Sequence, residues 1–215
     1  MTRILRVGHD PRAIEIAHET LSIGGLVVFP TDTVYGVGAS VDRPDGVANL
    51  YVAKGRPLQR AIPVLVSGRD AIDRLTSTTD EISLTLIEHF WPGPLTVVFP
   101  AADWLPYEIV RDTGAVGLRM PDHPVALELI ERCGGAVATT SANRSGEPEA
   151  RTAEEALDVL GGNVDLILDG GRTPGGVPST VVQVDETGHC RILRIGAISE
   201  SRIEHVLGSS RISPE

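Results

Sequence analysis

Apolar and polar positions along this chain follow two periods, and the pattern switches repeatedly between them. Ile14, Ala17 and Leu21 recur at helical spacing behind Asp10-Pro11, a good N-cap and N1 pair, and Gly24-Gly25 closes the run. Leu26-Val27-Val28-Phe29 is a continuous apolar stretch of strand length, ending in the polar turn Pro30–Gly36. A second helix is predicted from Pro44 to Ala53, with Lys54 at its C-terminal side. Further strands are predicted at Ile62–Val66, Leu95–Phe99, Ala115–Arg119, Ala136–Thr139, Val164–Leu168, Thr180–Val184 and Arg191–Arg194. Helices are predicted near Asp70–Leu75, Asp80–His89, His123–Cys133, Thr152–Leu160 and, capped by Ser199, up to Val206. Trp91-Pro92-Gly93-Pro94 reads as a rigid turn and Gly170–Gly176 as a glycine-rich loop. Interleaved helices and strands predict an α/β (α+β) fold: a single domain with a twisted, mixed β-sheet flanked by helices. The domain is expected over 10–208, with a lead-in at 1–9 and a frayed tail at 209–215.

Composition narrows the class. With 41% hydrophobic residues but 4% aromatics, the core must be aliphatic. No apolar run approaches the roughly 18 residues of a membrane span, and the N-terminus lacks the apolar stretch of a signal peptide. No membrane association and a cytoplasmic location are therefore expected. Cys133 and Cys190 are too few for a disulfide framework, and Cys133 reads as a buried thiol. A net charge of −10 argues against broad coating of nucleic acid but leaves room for a local basic groove.

Eighteen of the 19 basic residues are arginine; the single lysine is Lys54, in Ala53-Lys54-Gly55-Arg56-Pro57. Lysine offers a compact ammonium where arginine offers a flat fork, so a lone lysine suits a point-charge task such as reaching a phosphate. A surface lysine left by chance is the plain alternative. Polar loops follow apolar strands at Thr31–Thr33, at Arg119, at Thr139–Asn143 and before Ser179-Thr180, where open sheets collect ligands. Each taken singly could equally be a turn or a cap. Gly171 and Gly176 have Walker A spacing, but Val177-Pro178 stands where Lys-Ser/Thr is required, which rejects that motif. The six histidines are scattered, so no protein metal site is predicted. Ser141 lies outside any nucleophile elbow. Cations and hydroxyls without an acid/base pair fit polyanion binding and reaction at phosphorus.

An ordered set of segments carries a family resemblance. These are Pro30-Thr31-Asp32-Thr33-Val34-Tyr35-Gly36-Val37-Gly38, Lys54-Gly55-Arg56-Pro57, Phe90-Trp91-Pro92-Gly93-Pro94-Leu95-Thr96, Gly117-Leu118-Arg119-Met120-Pro121, Thr140-Ser141-Ala142-Asn143-Arg144-Ser145-Gly146, Pro178-Ser179-Thr180-Val181-Val182 and Leu193-Arg194-Ile195-Gly196. Through them the chain resembles the YrdC-type threonylcarbamoyl-AMP synthases, in the short form without an extra C-terminal domain. The resemblance implies a YrdC-like fold with a concave, positively charged groove. It also implies a reaction: L-threonine, bicarbonate (or CO2) and ATP give threonylcarbamoyl-AMP and pyrophosphate, for a downstream tRNA-modifying complex acting next to the anticodon.

By that resemblance Thr33, Arg119, Thr139 and Ser179 hold threonine, with Arg119 on its carboxylate. Lys54 and Arg56 are the phosphate and catalytic candidates. Arg60, Ser141, Asn143 and Arg194 complete the nucleotide side, and Mg2+ arrives with ATP rather than in a protein cage. Four positions depart from the family pattern: Arg60 for an Asn, Leu65 for a His, Ala115 for a small hydroxyl and Glu149 for a Ser or Thr. Two other readings fit the same residues. One is a non-catalytic module binding double-stranded RNA or tRNA through the basic groove, with steeply salt-dependent affinity. The other is a related carbamoyl-transfer or ribosome-assembly protein with a different acceptor.

Overall fold

Strands covered on both faces need apolar residues on both, and Val27, Val28 and Phe29, all fully buried, show this most clearly. A computed structural model describes residues 1–55, 57–175 and 177–212. The elements are, in order, β1 (Arg3–Arg6), α1 (Ala13–Ser22), β2 (Val27–Pro30), β3 (Tyr35–Ser40), α2 (Pro44–Lys54), β4 (Val64–Val66), α3 (Asp70–Leu75), α4 (Glu81–Phe90) and β5 (Leu95–Pro100). There follow α5 (Tyr107–Val110), β6 (Ala115–Arg119), α6 (Pro124–Arg132), β7 (Ala136–Ser141), α7 (Ala153–Leu160), β8 (Leu166–Asp169), β9 (Thr180–Val184), β10 (Cys190–Arg194) and α8 (Glu200–Leu207). The described strands form one mixed sheet in the order β1-β8-β2-β3-β7-β4-β6-β5-β9-β10. The pairs β1/β8, β2/β8, β4/β6 and β5/β9 are parallel and the rest antiparallel.

Successive side chains of a strand point to opposite faces. Val27 and Phe29 therefore join Leu5, Leu65 and Val137 beneath α1 and α6, while Val28 joins the larger core on the other face. Local chemistry sets several boundaries. Asp80 caps α4 by accepting from Ser83 N at 2.8 Å, and Thr152 caps α7 by accepting from Glu155 N at 3.2 Å. Gly55, in the left-handed conformation at φ 57°, ends α2.

The structure moves or adds elements relative to the sequence reading. Helix α1 starts at Ala13, because Asp10 closes a turn of its own, accepting from Arg12 N at 2.9 Å. The N-terminal lead-in contributes an edge strand, β1. At the other end Ser209–Arg211 form a 3-10 turn and Ile212 bridges Cys190, so the described part of the tail is folded. Strand β3 and helix α5 have no counterpart in the periodic pattern. Cys190 is buried, whereas Cys133 is only half-buried, its thiol 3.5 Å from His18 Nδ1. Among the described residues no helix is long and apolar enough to cross a membrane.

Candidate active site

Strand β7 turns Val137, Thr139 and Ser141 to one face. Val137 enters the core under α1 and α6, and beyond it Thr139 and Ser141 open into a cleft of about 710 Å3. Across the ladder, Gly38 pairs with Thr139 and Gly36 with Ser141. A Cβ at Gly36 would stand 2.8 Å from Thr139 Cγ2, and one at Gly38 2.8 Å from Val137 Cγ1. The glycines that hide β3 from a periodicity search are thus what leaves the cleft floor open.

One end of the cleft is built on the turn after β2 and the last residue of β6. Thr31 Oγ1 donates to Val34 O at 2.7 Å and lies 3.1 Å from Thr33 Oγ1, fixing the turn. Arg119, 7% exposed, donates to Gly93 O at 3.1 Å, to Thr33 Oγ1 at 3.2 Å and to Asp32 Oδ1 at 2.5 Å. Burial pulls its guanidinium below the ordinary value; Asp32 opposes this and nearby Arg194 adds to it. Of the five N–H groups of this arginine, one on each terminal nitrogen has no bonded partner among the described residues. Arg194 donates to Ser179 O at 2.8 Å and to Ser179 Oγ at 3.1 Å; that hydroxyl lies 2.9 Å from Thr96 Oγ1. Burial also lowers the pKa of Arg194, with Glu149 pulling the other way.

The other end is organised by Lys54. Its ammonium, on a residue 3% exposed, donates to Ser141 O, to Asn143 O at 2.7 Å and to Asn143 Oδ1 at 2.9 Å. Asn143 Oδ1 also accepts from Ser141 Oγ at 2.6 Å, and Asn143 Nδ2 donates to Glu147 O at 2.6 Å. The lysine therefore sits beneath the loop after β7 and holds its carbonyls, rather than standing out as a surface charge. Tyr35, its pKa pushed up to about 12 chiefly by burial, donates to Gly171 O at 2.7 Å and so ties the glycine-rich loop to the cleft wall.

The cleft thus gathers Thr33, Arg119, Thr139, Ser179 and Arg194 at one end with Lys54, Arg60, Ser141 and Asn143 at the other. Arg56 lies outside the described residues. Of the four departures, Arg60, Leu65 and Glu149 line the cleft, while Ala115 sits at the far end of β6 from Arg119. Sequence reasoning passed over Asp32 and Thr96 as site residues, although both stand inside the quoted segments. It also passed over Arg151, which lines the cleft with no local signal. Among the described residues no cluster of three or more His, Cys, Asp or Glu is placed to hold a metal ion.

Fold and cleft together define an α/β protein that opens a hydroxyl-rich, arginine-bearing groove in one face of a mixed sheet. The chain belongs to the Sua5/YciO/YrdC family: residues 19–196 match that family's model, described as "Telomere recombination". It is 37% identical over 201 residues to the threonylcarbamoyl-AMP synthase of Pyrococcus abyssi, covering 94% of this chain and 59% of that protein. It is 39% identical over 201 residues to the threonylcarbamoyl-AMP synthase of Bacillus subtilis, covering 93% and 58%. The solved structure of P. abyssi Sua5 complexed with L-threonine superposes with a TM-score of 0.91 at 36% identity, covering 100% of this chain and 63% of that one. The chain thus spans less than two thirds of the length of these relatives.

Proposed function

We propose that this chain is a threonylcarbamoyl-AMP synthase, converting L-threonine, bicarbonate or CO2 and ATP into threonylcarbamoyl-AMP and pyrophosphate. The observation that carries the reading is a single cleft lined by two guanidinium groups, the buried Arg119 and the more exposed Arg194. Arg119 is ion-paired to Asp32, while Arg194 bonds only neutral oxygens of Ser179 among the described residues. Cations lining a cleft with donors to spare favour anionic ligands. The names of the relatives, and the threonine complex of the Pyrococcus protein, support the choice of substrates.

Two anions must meet. The threonine amine adds to CO2, forming an N–C bond and losing a proton, to give a carbamate. A carbamate oxygen attacks the α-phosphorus of ATP, and the bond to the bridging oxygen breaks as pyrophosphate leaves with the electron pair. Arg119 takes the threonine carboxylate on its remaining N–H groups beside Thr33, and Thr139 and Ser179 orient the amino acid. Lys54 holds the Ser141–Asn143 loop as a seat for the nucleotide, and its charge, with those of Arg60, Arg194 and Arg56, offsets the repulsion between the two anions. Mg2+ enters with the phosphates of ATP. A downstream tRNA-modifying complex then consumes the product, in a cytoplasmic setting. Direct RNA contact through the groove is a lesser part of this reading, since the net charge is −10.

The test is pyrophosphate release from ATP and bicarbonate, with and without L-threonine, and with serine as control. Release dependent on threonine and bicarbonate is the expected result; no release from folded protein that binds threonine would overturn the synthase reading.

A further inference from the structure

Arg111 is the only described residue other than glycine with a positive φ, at φ 51° and ψ −145°. Such a conformation is close to a region reserved for glycine, and it persists only where surrounding contacts hold it. Three side-chain contacts surround it. The Arg111 guanidinium lies 4.1 Å from the centre of the Tyr51 ring and 5.2 Å from that of Tyr107, and Nε donates to the Tyr51 hydroxyl at 3.0 Å. The hydroxyl of Tyr51, a residue 3% exposed, is shared between two backbone carbonyls, Arg60 at 2.9 Å and Glu108 at 2.7 Å. A second tie, Ile62 N to Ile109 O at 3.2 Å, fastens the same stretch to α5. Arg60 lines the cleft; Tyr51 and Arg111 do not.

We propose that Tyr51 and Arg111 are positioning residues that hold the Arg60 stretch as the phosphate-side wall of the cleft. The inference rests on the reading that ATP occupies that end. Arg111 accepts backbone strain so that its side chain can lie on Tyr51 and donate to its hydroxyl. Tyr51, so oriented, pins the Arg60 carbonyl. Neither residue needs to touch a ligand to matter for nucleotide binding.

The pinned carbonyl belongs to the Arg60–Ala61 bond, which trypsin recognises, whereas Arg56–Pro57 is refractory because proline follows. Limited trypsinolysis mapped by mass spectrometry therefore reads the clamp directly. Tyr51→Phe removes the hydroxyl and keeps the ring; Arg111→Gly removes the guanidinium and suits the backbone. Each is expected to accelerate cleavage at Arg60–Ala61 by roughly 3- to 10-fold, the equivalent of one net hydrogen bond, with the other tryptic bonds shared by wild type and both variants unchanged. Calorimetric titration should show the Kd for ATP raised by a similar factor and the Kd for threonine unmoved. Equal cleavage in wild type and both variants, or acceleration spread over all tryptic bonds, would overturn the clamp. Faster cleavage with an unaltered Kd for ATP would overturn the positioning role. Wild-type protein without threonine-dependent pyrophosphate release would refute the synthase reading instead, and the tryptic comparison needs no turnover.

Discussion

Replacing Lys54 by Met separates two accounts of this residue. Methionine keeps the apolar stem and removes the ammonium. Three acceptors then lose one donor each: Ser141 O, Asn143 O and Asn143 Oδ1. Asn143 Oδ1 keeps the Ser141 hydroxyl at 2.6 Å and Ser141 O keeps Asn143 N at 3.0 Å, so the Asn143 carbonyl is the main casualty. A buried acceptor left unmet costs about 1–3 kcal/mol. With weakened bonding at the other two acceptors the loss is about 2–4 kcal/mol, and relief from desolvating a charge on a residue 3% exposed brings the net to about 1–3 kcal/mol. Urea unfolding of wild type and Lys54→Met should show a matching drop in midpoint at constant slope. Pyrophosphate release should fall by roughly 10²-fold or more. If Lys54 served only as a point charge for a phosphate, the variant would lose turnover and keep its stability. A stability loss below about 1 kcal/mol would refute the clamp beneath the loop after β7.

Two further outcomes follow from the site. Glu149 lines the cleft near Arg194, so Glu149→Ser should tighten ATP binding by roughly fivefold, about 1 kcal/mol for a partly exposed charge; weaker binding on calorimetric titration would count against this placement. Burial pushes the His123 imidazole below its usual value of 6.5, and its Nδ1 is buried without a partner among the described residues. The fold thus favours the neutral ring: stability is intact above about pH 6.5 and is lost as the pH falls, because the unfolded chain takes up the proton first. His123→Asn should therefore flatten the decline in urea midpoint between about pH 7 and pH 5, and parallel curves would refute the assignment.

Much of the frame was legible because it is local. Helix α2 announces itself by Pro44 at its start and Gly55 at its end, and α7 by Thr152 three residues before Glu155. Strand β3 was not legible, since Gly36 and Gly38 interrupt its pattern and their reason lies across the sheet, at Thr139 and Val137. The candidate residues in the cleft could be chosen by resemblance, but their bonding could not. That Lys54 would face carbonyls 87 and 89 residues away, or that Arg119 would already hold Asp32, depends on pairings between distant strands. Arg111 carries no local signal, because its strain exists only once Tyr51 and Tyr107 are in place.

The seat of β1 has a consequence for how the chain is made. Its neighbour in the sheet is β8, and Arg6 meets Asp169 across a sequence separation of 163 residues. At synthesis rates of about 5–20 residues per second, β1 leaves the ribosome many seconds before its partner exists. During that interval Leu5, which ends in the core under α1 and α6, has no place in the sheet. β8 also supplies the parallel neighbour of β2, so its arrival completes both pairings at once. The N-terminal half of the sheet is thus finished late in translation, and nascent chains stopped before Leu166 should be bound by chaperones that recognise exposed apolar strands.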